Sequence, residues 1–361
     1  NEVLAGNHTL KAARDLGWET LAAVTIDVDD DQAARIVAAD NRTSDLGSYD
    51  DRLLLELLTD LPNLDGTGYD PRDIDELEAL LDADNAGDDF GEPLTDPDTT
   101  PEPPPDPYCK TGDLWRLGPH RLAVGDSTDP GVWDLLLDGG KADMVWTDPP
   151  YGVAYVGKTA DALTIENDAL DEAGLEAFLR AALGLALTAS RPGACWYVAS
   201  PPGPLHLVFG GVLRNLEVLR QTLVWAKDQF VMGRSDYHYK HELIYYGWAP
   251  GAAHHPVPDR TQDSVHEIAR PKANKEHPTM KPVALIAKHI ENSTDRNQLV
   301  VDPFGGSGST LIAAHTLGRK AALIELDPRY ADVICRRYQE HTGELPIRDG
   351  EPHDFTRDAD A

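Results

Sequence analysis

Two short stretches of this 361-residue chain combine residue types that chemistry requires. The first is Thr147-Asp148-Pro149-Pro150-Tyr151-Gly152, directly after the apolar run Ala142–Thr147. Its two prolines stiffen the turn and fix where the flanking side chains point. A carboxylate and an aromatic ring are thereby held close together. Asp148 can accept a hydrogen bond from an exocyclic amine, the Pro149 carbonyl can accept a second, and the Tyr151 ring can stack on a planar base. Such a set suits a base taken out of its duplex. A rigid turn with an incidental tyrosine would read the same way. The second stretch is Leu299–Thr310, LVVDPFGGSGST. An apolar strand ends in Asp302, a glycine-rich turn follows, and a helix opens at Ser309. Glycines let the backbone approach a ligand, and the N–H groups opening a helix favour an anion. Farther on, Glu325 ends the next strand, where an acid can hold ribose hydroxyls. A tight turn alone would explain the glycines. Strand, turn, helix and distal acid together point to a nucleoside with an anionic group.

These residues need a scaffold, and strand and helix candidates alternate around them. Strands are expected at Ala142–Thr147, Ala194–Ser200, Leu299–Asp302 and Ala321–Leu326. Helices are expected at Leu175–Leu187, Val283–Ile290, Thr310–Leu317 and Tyr330–Tyr338, the last with Tyr330, Val333, Ile334 and Tyr338 on one stripe. Alternation of this kind predicts a parallel, doubly wound α/β sheet, whose ligands sit beyond the carboxyl ends of the strands. Upstream, Leu10, Ala13 and Leu16 follow helical spacing up to a stop at Gly17. Leu21–Asp27 reads as a short strand, and Arg52–Leu58 and Asp73–Leu81 read as helices. Between the halves, Gly87–Pro107 is acidic, proline-rich and poor in large apolar residues, which predicts an extended, mobile linker. The expected organisation is a small domain over 1–85, a linker over 86–108, a main domain over 109–345 and an acidic tail over 346–361.

At these motifs the chain resembles the S-adenosylmethionine-dependent amino-methyltransferases of DNA, which modify adenine N6 or cytosine N4. DPPY and the F-x-G-x-G loop (Phe304, Gly306, Gly308) carry the resemblance. Arg121–Asp129 is similar to the family segment whose Asp, here Asp126, contacts the cofactor adenine. Trp225–Gly247, with W-x-K and Tyr239-Lys240-His241-Glu242, is similar to the family's strand and loop before its recognition segment. His277–Pro282, HPTMKP, is similar to the element lining the methionine end of the cofactor. Their order is the permuted order of the β group, and the resemblance covers about 109–345. It implies a Rossmann-like sheet with helices on both faces and S-adenosylmethionine held by Asp126, Thr279, Lys281, Asp302, Phe304, Gly306, Gly308, Ser309 and Glu325. Thr279 and Lys281 are implied near the methionine carboxylate, and Phe304 near the methyl group and the base. It also implies direct transfer to a flipped base. Asp148 and the Pro149 carbonyl hold the amine, Pro150 stiffens the turn, Tyr151 stacks, and the nitrogen attacks the sulfonium methyl in line without a covalent enzyme intermediate. Positioning and electrostatics would supply most of the acceleration. An Asp at the head of the tetrad leans towards adenine N6, with cytosine N4 as the alternative.

Double-stranded DNA is the implied partner, yet net charge is −30. The acid is concentrated upstream: residues 1–85 carry −15 and residues 86–108 carry −7, whereas residues 109–345 carry only −5. Residues 227–288 hold nine basic against seven acidic side chains. From there and from Val153–Asp168 we expect Lys158, Arg234, Lys240, Arg270 and Lys272 to face DNA. His254 and His255 have no third ligand at metal spacing, so no metal is expected. Cys109, Cys195 and Cys335 form no CxxC pattern, which argues against a disulfide framework and fits a reducing cytoplasm. No apolar run is long enough to cross a membrane and no signal peptide is visible.

Val3–Trp18 resembles the nucleotide-contacting box of ParB-like domains through Gly6, Asn7 and His8, with Thr9 where Arg is frequent. The strand expected before that box is missing, so the domain reads as incomplete at its start. Such fusions point to phage or mobile-element modification, with homodimers common and a cognate restriction endonuclease as companion. A ParB-like DNA-binding regulator with an inactive methyltransferase part is the competing class, and intact Asp148, Tyr151, Gly306 and Glu325 argue against it. Methylation of RNA or of a protein glutamine amide is a third, disfavoured by Asp148 and by the permuted order.

Overall fold

The computed structural model describes residues 93–152, 170–230, 236–259, 261–270 and 280–357, with scattered positions between 14 and 74. The chain divides into a first unit, Asn1–Asp89 with Pro258–Thr261, and a second, Phe90–Val257 with Gln262–Ala361.

The second unit carries the sheet. Its strands are β1 (Leu114–Leu117), β2 (His120–Val124), β3 (Ala142–Thr147), β4 (Ser190–Ser200), β5 (Leu219–Ala226), β6 (His241–Trp248), β7 (Val265–Glu267), β8 (Leu299–Asp302), β9 (Lys320–Glu325), β10 (Ile347–Arg348) and β11 (Glu351–Pro352). Its helices are α1 (Pro130–Leu137), α2 (Glu172–Ala189), α3 (His206–Asn215), α4 (Val283–Glu291), α5 (Ser309–Thr316) and α6 (Pro328–Thr342). The spatial order is β11-β10-β1-β2-β9-β8-β3-β4-β6-β5-β7. Strands β2, β9, β8, β3 and β4 run parallel. The expectation of a parallel sheet holds there and for the β5–β7 edge pair. β6 is antiparallel to both β4 and β5, and β1, β10 and β11 add an antiparallel edge. An antiparallel pair such as β5–β6 needs no crossover helix, and none lies between these strands among the described residues.

Alternation along the strands feeds two cores. Met144 and Trp146 of β3 join one, with Leu285 and Ile286 of α4, Leu311 and Ile312 of α5, and Ile334 and Tyr338 of α6. Val145 joins the other, with Leu136 of α1, Leu179 and Leu183 of α2, and Phe209 and Val212 of α3. Helices therefore cover both faces, as expected. Caps mark where several begin: Asp129, Asp171 and Asp327 each accept a backbone N–H from the first turn of α1, α2 and α6.

Two expectations fail in this unit. The second part of the acidic linker is a docked strap, not a mobile tether. Leu94 N–H bonds the His341 carbonyl, the Pro97 carbonyl accepts from Arg337, Asp98 accepts from Val283 N–H, and Thr100 is buried. Its prolines suit an extended path, and partners supplied by α4 and α6 replace the core it lacks. The acidic tail likewise joins the sheet through β10 and β11, with Phe355 buried against Trp115.

In the first unit, Gly17 adopts φ +70° and its N–H bonds the Arg14 carbonyl at 3.0 Å, a helix stop at the expected place. Leu58 and Tyr69 are buried together, flanked by Leu55, Leu61, Leu64 and Ile74. No strand forms at residues 23–29, where Val24 and Ile26 are exposed. An apolar run without a partner ladder leaves its backbone groups to water. Gly6, Asn7, His8 and Thr9 lie outside the described residues.

Candidate active site

The parallel register lines up the carboxyl ends of β2, β9, β8 and β3, and each delivers an acid: Asp126 just after β2, Glu325 ending β9, Asp302 ending β8 and Asp148 just after β3. Asp302 is fully engaged. Its carboxylate accepts from Thr147 Oγ1 at 2.8 Å, Thr310 Oγ1 at 2.6 Å and Phe304 N–H at 3.1 Å. Glu325 accepts from Gly306 N–H at 2.7 Å and Asp327 N–H at 2.9 Å. Burial pushes both carboxyls up to about 7, against the hydrogen bonds that favour ionisation. Gly306 and Gly308 take φ of +53° and +83°, which only glycine adopts readily. A side chain at Gly308 would crowd Ile334 at 3.2 Å, whereas one at Gly306 would meet nothing closer than the Phe304 carbonyl at 3.9 Å. The Gly306 face of the loop is thus open, beside a carboxylate that can accept from hydroxyls.

The Asp148 turn is built differently. Lys281 Nζ donates to Asp148 Oδ2 at 2.5 Å and to Tyr151 OH at 3.1 Å, and pairs with Glu242 Oε2 at 3.1 Å. Tyr151 OH in turn donates to Glu242 Oε2 at 3.1 Å, and Lys227 Nζ closes the cluster on Glu242 Oε1 at 2.5 Å. Asp148 Oδ1 is buried and has no hydrogen-bond partner among the described residues. Burial raises the Asp148 carboxyl above the usual range, with Lys281 opposing it. Burial would also raise Glu242, but Lys281 and Lys227 outweigh it and hold Glu242 at about 2. The Tyr151 ring meets Phe209 edge-on at 6.0 Å. Its hydroxyl is tied at the far end, so the ring plane is set from both sides.

Residues 142–336 match the N6/N4 methyltransferase family described as "DNA methylase", and this span is more than half of the chain. The chain belongs to that family. Two relatives extend the likeness. The type II methyltransferase M2.MboI of Moraxella bovis is 26% identical over 230 residues, covering 55% of this chain and 81% of that one. The protein YubD of Escherichia coli (strain K12) is 31% identical over 205 residues, covering 53% and 79%. Among solved structures, PvuII DNA methyltransferase (cytosine-N4-specific) superposes with a TM-score of 0.50 at 15% identity over 70% of this chain and 93% of that one, a likeness of fold.

This DNA methylase brings most of its expected site residues together and redirects some. Asp148, Pro149, Pro150 and Tyr151 form one turn, and Asp302, Phe304, Gly306, Gly308 and Glu325 form the other group. Asp126 is exposed and accepts from Thr128 N–H and Oγ1, both at 2.8 Å, while the neighbouring Gly125 N–H bonds the Glu325 carbonyl. Phe304 packs against Phe178 of α2, ring centroids 5.6 Å apart. Lys281, expected near the methionine carboxylate, bridges the half-buried carboxylates of Asp148 and Glu242. Ser309 is buried and its Oγ accepts from Arg337 Nη1 at 3.2 Å, so its side chain serves the loop. Arg270 is half-buried and answers Asp228, while Lys240 is exposed just before β6. Lys158, Arg234, Lys272 and Thr279 lie outside the described residues.

Three site residues escaped the sequence reading as functional groups: Lys227, Glu242 and Arg337. Lys227 and Glu242 stood in recognised motifs, but only the β5–β6 register, which sets Trp225 opposite Glu242, joins them. Arg337 had a signal. It falls on the apolar stripe of α6, three residues after Ile334, where a charge must find partners. Those partners are the Ser307 carbonyl at 2.8 Å and the Pro97 carbonyl at 2.7 Å.

Proposed function

We propose that this DNA methylase transfers a methyl group from S-adenosylmethionine to adenine N6 of a flipped-out base in duplex DNA. The observation that carries the reading is the buried, unpartnered Asp148 Oδ1 beside a fixed aromatic ring. A buried acceptor without a donor costs about 1–3 kcal/mol, and an exocyclic amine supplies the missing donor. The Pro149 carbonyl is the second acceptor for that amine, and Tyr151 stacks on the base. Lys281 donates to Asp148 Oδ2, which leaves Oδ1 as the oxygen open to a donor. Drawing the amine hydrogens towards two acceptors localises the nitrogen lone pair.

The residues of the glycine loop fit the cofactor. The open face at Gly306, the adjacent Glu325 carboxylate and the Asp126 turn suit a ribose and its base, and the buried acids favour a cation close by. S-adenosylmethionine, when bound, supplies an electrophilic methyl group on a positively charged sulfur. Asp148 at the head of the tetrad supports adenine N6, and cytosine N4 is the alternative. Within the same proposal the first unit is a ParB-like module, and the partners are duplex DNA, a second copy of the chain and a cognate endonuclease.

The test is methyl transfer from tritiated cofactor to unmethylated duplex DNA, with mass spectrometry of the nucleoside digest. N6-methyladenine, absent with Asp148→Ala, is the expected product. N4-methylcytosine would move the specificity to the other base. No label despite cofactor binding would sink the enzymatic reading.

A further inference from the structure

We propose that Glu242 and Lys227 are positioning residues that hold Lys281 on the far oxygen of Asp148 and leave Oδ1 as the acceptor for the substrate amine. The inference rests on the function proposed above and assigns work to two residues outside the base-contacting turn.

The geometry is a closed box of charges. Lys281 is buried and bonds three acceptors: Asp148 Oδ2, Glu242 Oε2 and the Tyr151 oxygen. A lone Asp148–Lys281 pair would be free to rotate, offering either carboxylate oxygen to the lysine. Glu242 prevents this by holding Nζ with a second carboxylate at 3.1 Å, and its Oε2 also receives the Tyr151 hydroxyl. Lys227, itself buried, occupies the remaining Glu242 oxygen at 2.5 Å and lies 4.9 Å from the Trp225 ring centroid. Two lysines and two carboxylates leave the box with no formal net charge. Without Lys227, Lys281 would have to answer two carboxylates alone. Glu242 would draw it off Asp148, and burial would then favour the protonated Asp148, which is a poorer acceptor.

Backbone register supports the assignment. Glu242 and Trp225 are paired across β6 and β5, and the Lys227 N–H bonds the Lys240 carbonyl at 2.8 Å, so both charged groups rise from one rigid ladder. Such a platform holds a first contact group more narrowly than a loop does.

A double-mutant cycle on the full chain tests this, read by single-turnover methylation of unmethylated duplex DNA and by cofactor affinity. Lys227→Met should slow methyl transfer about tenfold or more, with cofactor affinity and the KM for DNA little changed. Lys227→Arg, which keeps the charge, should retain most of the rate. In Lys227→Met/Glu242→Gln the stranded negative charge is gone, and the rate should recover above that of Lys227→Met alone. Melting midpoints identify any variant that fails to fold. For such a variant, Glu242→Gln alone, nearly isosteric, must still lower kcat without raising KM. A Lys227→Met enzyme as fast as wild type, or a double variant slowed by the product of the two single effects, would overturn the inference. Failure of the wild-type chain to methylate DNA would instead strike the function on which it rests.

Discussion

Four acids at one end of a single sheet, two buried and two half-buried, are held in opposite ways. Asp302 and Glu325 take their partners from hydroxyls and backbone N–H groups, and neither joins an ion pair among the described residues. Asp148 and Glu242, on the other side of β3, share Lys281, and Glu242 also holds Lys227. The first pair is pushed up to about 7 by burial, whereas Glu242 is pulled to about 2. The difference matches what each side is proposed to receive. An uncompensated acidic pair gains from a cation and from hydroxyl donors. A charge-balanced box can admit a neutral base without a change in net charge, and spends its one orphan acceptor on direction.

Removing Asp148 should break this contrast most sharply. Asp148→Ala is expected to lower single-turnover methylation by about 10³-fold or more, the scale of losing a directed polar contact in a water-excluded site. Cofactor affinity should persist, because the glycine loop is untouched. Loss of both together would erase the distinction between the two sides. Glu325→Ala should do the reverse and weaken cofactor binding by about 10- to 100-fold, the equivalent of one or two charge-assisted hydrogen bonds. Equilibrium binding with labelled cofactor reads this, and an unchanged Kd would remove Glu325 from the proposed site.

The two sides also differed in how much their residues disclosed. The cofactor side was legible because one continuous segment builds it. Strand β8, the glycine turn and α5 follow each other, and Glu325 ends the next strand. The Asp148 turn was legible for the same reason. Lys227, Glu242 and Lys281 were not, since they come from β5, β6 and the segment before α4, and antiparallel register alone brings them together. The strap misled for a different reason. Composition correctly excluded a core of its own over residues 93–108, but a segment can be ordered by partners elsewhere. Here Arg337 and the N-terminus of α4 supply them. Arg337→Met tests that account. It leaves the Ser307 and Pro97 carbonyls without their donor, so the chain should lose about 2 kcal/mol in denaturant unfolding. Cofactor affinity should fall with it, through the glycine loop, while the charge box stays intact. Unchanged stability would mean that the strap is held by its other contacts.

The smallest effect is a slope, and it sharpens the comparison through pH. Asp302 and Glu325 have folded-state values of about 7 against ordinary values of 3.8 and 4.5. Between those limits the folded protein binds protons that the unfolded chain has released. The contribution of this pair is therefore most favourable at low pH and is lost as pH rises towards 7. Glu242 has the opposite sign: held at about 2 against 4.5, it contributes above pH 4.5 and loses that contribution only as pH falls. From about pH 5 to 7 the acids of the cofactor side should dominate the difference between wild type and Glu325→Gln. Glutamine does not titrate, so the variant escapes the penalty of burying a charge there. Its stability relative to wild type should rise across that window, by at most about 1.4 kcal/mol per pH unit, and level off above pH 7. Unfolding curves of the two proteins at matched ionic strength read the slope directly. Parallel pH profiles would show that Glu325 titrates at its ordinary value, and the contrast between the two sides would then rest on Asp302 alone.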